Sequence, residues 1–194
     1  FQQDAVTRSF DIAAFVATAQ KLDASTPNIA MWLFAAFAVA FAIKVPLFPL
    51  HAWQPATYSE APTTATIMLG AVLSKMGIYG FLRFAIPFFP NAATSAAPIM
   101  ITLAIIGIIY CALIAIRQNE IKRIFAYSSI SHLGVIVLGV FVAMLAQTGA
   151  EIALSGATIQ MVAHGISTAA LFGVAGVLLA RRGTLQLDQF GGVA

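Results

Sequence analysis

Polar residues interrupt this chain so seldom that its organisation can be read from where they fall. No charged residue occurs between Phe84 and Ile116, and between Ile124 and Ala180 the only one is Glu151. A helix needs about 20 consecutive apolar residues to cross the hydrocarbon core of a bilayer. The pattern therefore predicts an all-α fold, a polytopic transmembrane helix bundle with about five spans. Proline, glycine and charge punctuation place them at 28–58, 61–86, 97–116, 121–146 and 151–181, followed by a connector over 182–194. Ahead of them, 1–27 mixes Asp4, Arg8 and Lys21 with Phe10, Ile12, Phe15 and Val16, which suits an amphipathic helix lying at the membrane interface.

The stretch 28–58 is too long for one straight span. Its roughly 30 residues would reach about 45 Å as a single helix, against a core of about 30 Å. Pro46 and Pro49 each lack a backbone donor, and Pro46 disfavours helical geometry at Val45. A discontinuous helix broken beside Lys44 is the expectation. Freed backbone groups at membrane depth are tolerated only inside protein or along a wet cavity, and such breaks mark ion sites in transporters. The plainer alternative is a proline kink with Lys44 snorkelling to the surface.

Composition strengthens the membrane reading, with 60% hydrophobic and 9% charged residues among 194, where a soluble domain carries about 25% charged. The net charge of +3 and pI near 9.3 come from few residues in short connectors, so the expected surroundings are the lipid bilayer and other membrane subunits, with no nucleic acid. Arg117, Lys122, Arg123, Arg181 and Arg182 fall on one side, against Arg8, Lys21 and Arg83 on the other. That bias puts the 117–123 connector and the C-terminal end on the cytoplasmic side or its equivalent. Cys111 is the single cysteine, lies in an apolar run and reads as a small packed side chain. The first residue is Phe1, and no basic segment leads into an apolar one as in a signal peptide. The expectation is an internal piece of a longer protein.

Four spans carry one ionisable group near their midpoints: Lys44 at the break, Lys75, His132 and His164. A charge at that depth costs at least about 2.5–3.5 kcal/mol on insertion scales, so four of them predict a hydrated interior line, a proton relay. Gln160, His164, Ser167 and Thr168 follow helical spacing on one face, and Ser128 precedes His132 by one turn. Their hydroxyls and amide could keep such a line wet. Either histidine alone reads equally well as an interhelical hydrogen bond; two buried lysines beside them favour the relay. Lysine suits it because its proton affinity responds strongly to burial and to a nearby carboxylate, and histidine titrates near neutrality unaided. Glu60, Glu120 and Glu151 all lie near helix ends, so a carboxylate partner for Lys44 is expected outside this sequence. Glu60 is the candidate to admit protons, with a dipole-favoured carboxylate at a helix start as its plainer role. Glu120, Lys122 and Arg123 read as interfacial charges. Nucleotide fingerprints, a Walker sequence and cysteine clusters are lacking, so cofactor and metal sites are not expected in this chain, nor redox chemistry of its own.

The runs Phe41-Ala-Ile-Lys-Val-Pro-Leu-Phe-Pro-Leu-His-Ala-Trp53, Glu60-Ala-Pro-Thr63, Leu73-Ser-Lys-Met-Gly-Ile-Tyr-Gly80, Ile121-Lys-Arg123, Ala126-Tyr-Ser-Ser-Ile-Ser-His132 and Gln160-Met-Val-Ala-His164 carry a family resemblance. Together they resemble the antiporter-like membrane subunits of proton-pumping NADH:quinone oxidoreductase, respiratory complex I, most of all the M-type branch, which includes mitochondrial subunit four and its plastid homologue. The resemblance implies a fourteen-helix protein with inverted five-helix repeats, of which this chain would hold helices seven to eleven. It places Lys44, Lys75, His132 and His164 on the central axis of that fold, with a glutamate and an exit lysine on helices outside this chain. It implies neighbouring antiporter-like subunits as partners, and NADH, flavin, iron–sulfur clusters and quinone in partner subunits. It also implies a bacterial inner membrane or an equivalent energy-transducing membrane. The family commonly reads Trp-Leu-Pro-Asp-Ala-His where this chain has Trp53-Gln-Pro-Ala-Thr-Tyr58, without the acid and the imidazole. Multi-subunit cation/proton antiporters and membrane-bound hydrogenases share these motifs, and a non-pumping structural paralogue would keep the fold without the chemistry.

Overall fold

The computed structural model describes residues 11–191. The part of the interfacial segment over 1–10 lies outside the described residues, as does 192–194. Helix α1 (Ile12–Ser25) is capped by Asp11, whose side chain accepts from Ala13 N. It leads directly into α2 (Pro27–Lys44), with Pro27 in the first turn where its missing N–H has no intrahelical partner to lose. A break follows, and α3 (Trp53–Glu60) resumes as a half-helix. The second span runs Thr63–Phe88 as α4 (Thr63–Met68), a π turn (Leu69–Leu73), α5 (Ser74–Gly80), a second π turn (Phe81–Ala85) and α6 (Ile86–Phe88). Helices α7 (Pro90–Ile116), α8 (Ile121–Leu145) and α9 (Ala150–Arg182) complete the bundle. Among the described residues five helices are long and apolar enough to cross a membrane, at Pro27–Lys44, Thr63–Phe88, Pro90–Ile116, Ile121–Leu145 and Ala150–Arg182.

The third span starts earlier than the sequence pattern places it. Pro98 is the expected beginning of 97–116, yet it lies inside α7, which opens at Pro90. The reason lies in tertiary structure. The buried carboxylate of Asp23, on α1, accepts from Asn91 N at 2.7 Å and from Ala92 N at 3.3 Å, satisfying the orphan donors and meeting the positive end of the helix dipole. Gln20 adds a bond from Nε2 to Pro87 O at 3.0 Å. At the other end of the chain α9 closes on Gly183 in the left-handed conformation (φ 71°), its N–H bonded to Leu179 O, the usual glycine terminator.

Packing is inverted relative to a soluble protein. The fully buried positions include many alanines, such as Ala30, Ala93, Ala97, Ala104, Ala126 and Ala175, beside Phe34, Phe81, Phe141 and Phe172, while Trp32, Ile116, Ile152 and Ile159 stand more than two-thirds exposed. In lipid the outward apolar residues cost nothing, and small residues at the seams let backbones approach. Gly77 shows how tight the approach is. A Cβ there would lie 2.7 Å from Val45 Cγ2 and 3.0 Å from Phe41 O, so α2 and α5 meet almost backbone to backbone beside the break.

The contacts sort into two ends. Asp23, Asn91 and the start of α2 share one; the end of α3, Glu120, Lys122 and Gln186 share the other. We expect Asp23→Ala to lower the stability of the full-length protein by about 1–2 kcal/mol, the loss of a charged helix cap. Thermal unfolding of the purified membrane protein would register it, and an unchanged midpoint would remove Asp23 as the anchor of α7.

Candidate functional site

At the break, α2 ends on Lys44, and Leu47 N turns back to Ala42 O at 2.9 Å. Pro46 and Pro49 both fall in the interruption, Pro46 buried and Pro49 exposed. The carbonyl of Ile43, freed by the interruption, accepts the indole N–H of Trp53 at 3.1 Å. Trp53 is thus a strut across the break. Lys44 itself is exposed on the surface of the described residues, and its Cβ packs 3.0 Å from where a Cβ at Gly77 would stand.

Lys75 follows one turn of chemistry away. Within the π turn Leu69–Leu73 the Gly70 carbonyl accepts both Lys75 Nζ and Ser74 Oγ, the latter at 3.1 Å. π turns of this kind recur at functional sites. Nothing in 69–73 signals one, since the stretch holds neither proline nor a cluster of polar residues. Lys75 is buried and runs along α9, its Cε 3.7 Å from where a Cβ at Gly165 would be. An apolar groove of about 520 Å³ between the second span and α9 opens over Lys75, Tyr79 and Gly165.

His164 is buried, with Thr168 Oγ1 at 3.3 and 3.4 Å from its ring nitrogens. The His132 ring lies 5.7 Å from the His164 ring, centroid to centroid, across the α8–α9 seam. Between them is a cavity of about 80 Å³ lined by Ser128, Ser129, Ser167 and Thr168, larger than the roughly 15 Å³ one water needs. Gln160 joins His132, His164 and Ser167 along a second, open groove of about 210 Å³. Ser167 is exposed and returns its hydroxyl to Ala163 O at 2.9 Å. The structure therefore sets His164 against an exposed His132, lays Lys75 along α9 beside Gly165, and places Lys44 at the α2–α5 contact beside Gly77.

Glu60 is exposed at the end of α3. The carboxylate engaged at this end is Glu120: it accepts Ser59 Oγ at 2.6 and 2.7 Å and pairs with Arg123 Nε at 3.2 Å. Lys122 departs from its reading as an interfacial charge. It is 3% exposed and donates to Ala61 O at 2.8 Å and Ser59 O at 3.3 Å, capping the last carbonyls of the half-helix. A lysine at the start of one helix serving the end of another cannot be seen from sequence spacing. Sequence reasoning also misses His51 and Gln54; both are buried, in the break and in the first turn of α3. Their only signal is a polar pair inside the proline-rich run.

Residues 6–194 match the family described as NADH:quinone oxidoreductase/Mrp antiporter, TM. The chain belongs to this family. It is 43% identical over 168 residues to NADH-quinone oxidoreductase subunit M of Pseudomonas aeruginosa, covering 87% of this chain and 32% of that protein. It is 44% identical over 194 residues to the subunit M of Mycobacterium tuberculosis, covering 99% of this chain and 34% of that one. The chain thus spans about a third of the length of these curated relatives. Among solved structures, respiratory complex I from Thermus thermophilus with bound NADH is similar at TM-score 0.80 and 36% identity, over 94% of this chain and 40% of that chain. The membrane-bound sulfane sulfur reductase, an archaeal respiratory membrane complex, is similar at TM-score 0.81 and 28% identity, over 93% and 36% of the two chains. For this member of the NADH:quinone oxidoreductase/Mrp antiporter family, an integral multi-pass membrane protein follows from the five apolar spans and the family together.

The clamp at the end of α3 separates a buried cation from a surface ion pair. Lys122→Met in the full-length protein should cost about 1–3 kcal/mol, because two buried carbonyls lose their donor. Arg123→Met, which breaks an exposed pair, should cost about 0–1 kcal/mol. Thermal unfolding of the two variants side by side checks this; equal shifts would mean that Lys122 is no cap.

Proposed function

We propose that this chain is part of the proton-translocating membrane subunit of an NADH:quinone oxidoreductase, and that protons move through it along Lys44, Lys75, His164 and His132. The observation that carries the reading is the pair His164 and His132, two rings 5.7 Å apart around a small polar cavity, with the buried Lys75 lying along the helix that carries His164, beside Gly165. The family and the likeness to complex I supply the context.

The residues divide the work. Lys75 Nζ is held on the Gly70 carbonyl, which stabilises the ammonium without neutralising it, so its proton stays transferable. When Lys75 gives up that proton, a water in reach of His164 carries it, and a neutral ring nitrogen accepts it. Protons on Lys75 and His164 repel, so occupancy of the two stations alternates, and the second histidine takes the charge onward through the Ser128–Thr168 cavity. Lys44 stands at the start, where the broken helix allows its ammonium to swing towards a carboxylate partner supplied by sequence outside this chain. NADH, flavin, iron–sulfur clusters and quinone belong, in this reading, to partner subunits, and the chain itself does no electron transfer. Its setting is a bacterial inner membrane or an equivalent energy-transducing membrane, among neighbouring antiporter-like subunits. Glu60, exposed beside the Lys122 clamp, is the group placed to admit protons at that end.

A second reading, a subunit of a cation/proton antiporter or related respiratory complex, is supported by the fold likeness to the sulfane sulfur reductase. Sodium dependence of transport separates the two. In reconstituted vesicles of the full-length complex, Lys44→Ala should abolish or sharply reduce proton pumping per electron while electron transfer to an artificial acceptor continues. Lys44→Arg should fail nearly as badly, since a guanidinium does not release its proton at any physiological pH. Moving one charge across the membrane involves about 2.3 kcal/mol per 100 mV, so a station must change protonation rather than hold a fixed charge. Normal pumping by Lys44→Arg, read with a pH-sensitive dye and normalised to electron flux, would overturn the relay.

A further inference from the structure

The buried polar atoms that the fold leaves over are concentrated in one place. Among the described residues, the buried side-chain atoms without a protein hydrogen-bond partner are Nδ1 of His51, both amide atoms of Gln54 and Oγ of Ser129. His51 and Gln54 share one turn, in which Gln54 N donates to His51 O at 3.1 Å, at the point where the break passes into α3. Packing fixes the His51 ring. It stacks on Phe48 with centroids 5.5 Å apart and meets Tyr110 of α7 edge-on at 5.6 Å. Gln54 is wholly buried on the face of α3 that also carries Tyr58, one turn on. Neither atom of its amide has a hydrogen-bond partner. α3 packs against α8, the helix that carries Ser129 and His132.

A buried primary amide with neither atom satisfied is costly where methionine or leucine would fill the same space. A water molecule buried in a protein makes about three hydrogen bonds. The Gln54 amide offers one acceptor and a donor, and His51 Nδ1 offers a third partner one turn away.

We propose that Gln54 and His51 form an internal water-binding site at the root of the half-helix, and that Gln54 is a positioning residue of the proton path. The proposal rests on the relay reading above. An amide has no proton to give at these conditions, so Gln54 acts by orienting water and the proton passes over the water and the imidazole. Ser129, the remaining unsatisfied buried group, lines the His132–His164 cavity on α8, the helix that α3 packs against.

The test uses the full-length protein in its assembled complex. A high-resolution cryo-EM map of the unaltered complex should show ordered water density within hydrogen-bond distance of the Gln54 amide and His51 Nδ1. Gln54→Met, equal in size and without polar atoms, should lower the proton-to-electron ratio several-fold in liposomes while electron transfer to an artificial acceptor is retained. His51→Phe keeps the ring stack and should do the same. Because both residues hold one water, the double variant should pump no worse than either single one. A dry site in the unaltered complex overturns the proposal, as does an additive double variant, or Gln54→Met pumping at the wild-type ratio with raised thermal stability. Lys44→Ala run in parallel keeps the two readings apart. If it abolishes pumping and Gln54→Met does not, only the water site falls; if Lys44→Ala pumps normally, the relay itself falls.

Discussion

A carbonyl oxygen set free inside a membrane has no water to turn to, and an unsatisfied one costs several kcal/mol. This requirement governs the arrangement of the polar side groups. At three interruptions of the helical ladder a donor from a polar residue is found at the gap. The Ile43 carbonyl at the break takes the Trp53 indole, the Gly70 carbonyl at the π turn takes Lys75 and Ser74, and the last carbonyls of the half-helix take Lys122. In each case the interruption and its donor come as a unit. Two of these three gaps are filled by lysines, Lys75 inside the second span and Lys122 at the start of α8.

The seams between helices then decide which of these groups meet. Gly77 brings α2 onto α5 beside Lys44, and Gly165 gives Lys75 a path along α9 towards His164. Each is a position where a methyl group would collide or crowd, so the small residue sets how closely the helices approach. The α8–α9 seam sets two imidazoles either side of a cavity lined by hydroxyls. This close packing arises in a medium that gives no hydrophobic drive for it. Specificity must come from van der Waals fit and from polar groups that have nowhere else to go. The buried ends of the bundle show the same logic: Asp23 holds α7 from one side, and the Glu120–Lys122 clamp ties α3, α8 and the 184–189 segment on the other.

The sequence by itself determined the all-helical, five-span character of the protein, because hydropathy is local and the bilayer thickness sets a fixed length for every span. It also determined that a break follows Lys44, since proline removes a donor wherever it sits, and it picked out the ionisable residues at depth. The family was legible from the same residues, as the match over 6–194 bears out. Only the tertiary structure decided the rest. Pro98 falls inside a helix because a carboxylate from α1 caps α7 eight residues earlier; the π turns have no composition of their own; Lys122 serves a helix more than sixty residues away. Nor could spacing alone reveal that His51 and Gln54 are buried without partners, or that Lys44 stands apart from Lys75, His164 and His132. The division has one physical cause: insertion into a membrane is decided segment by segment, whereas the satisfaction of a buried polar atom depends on which other segment comes to lie against it.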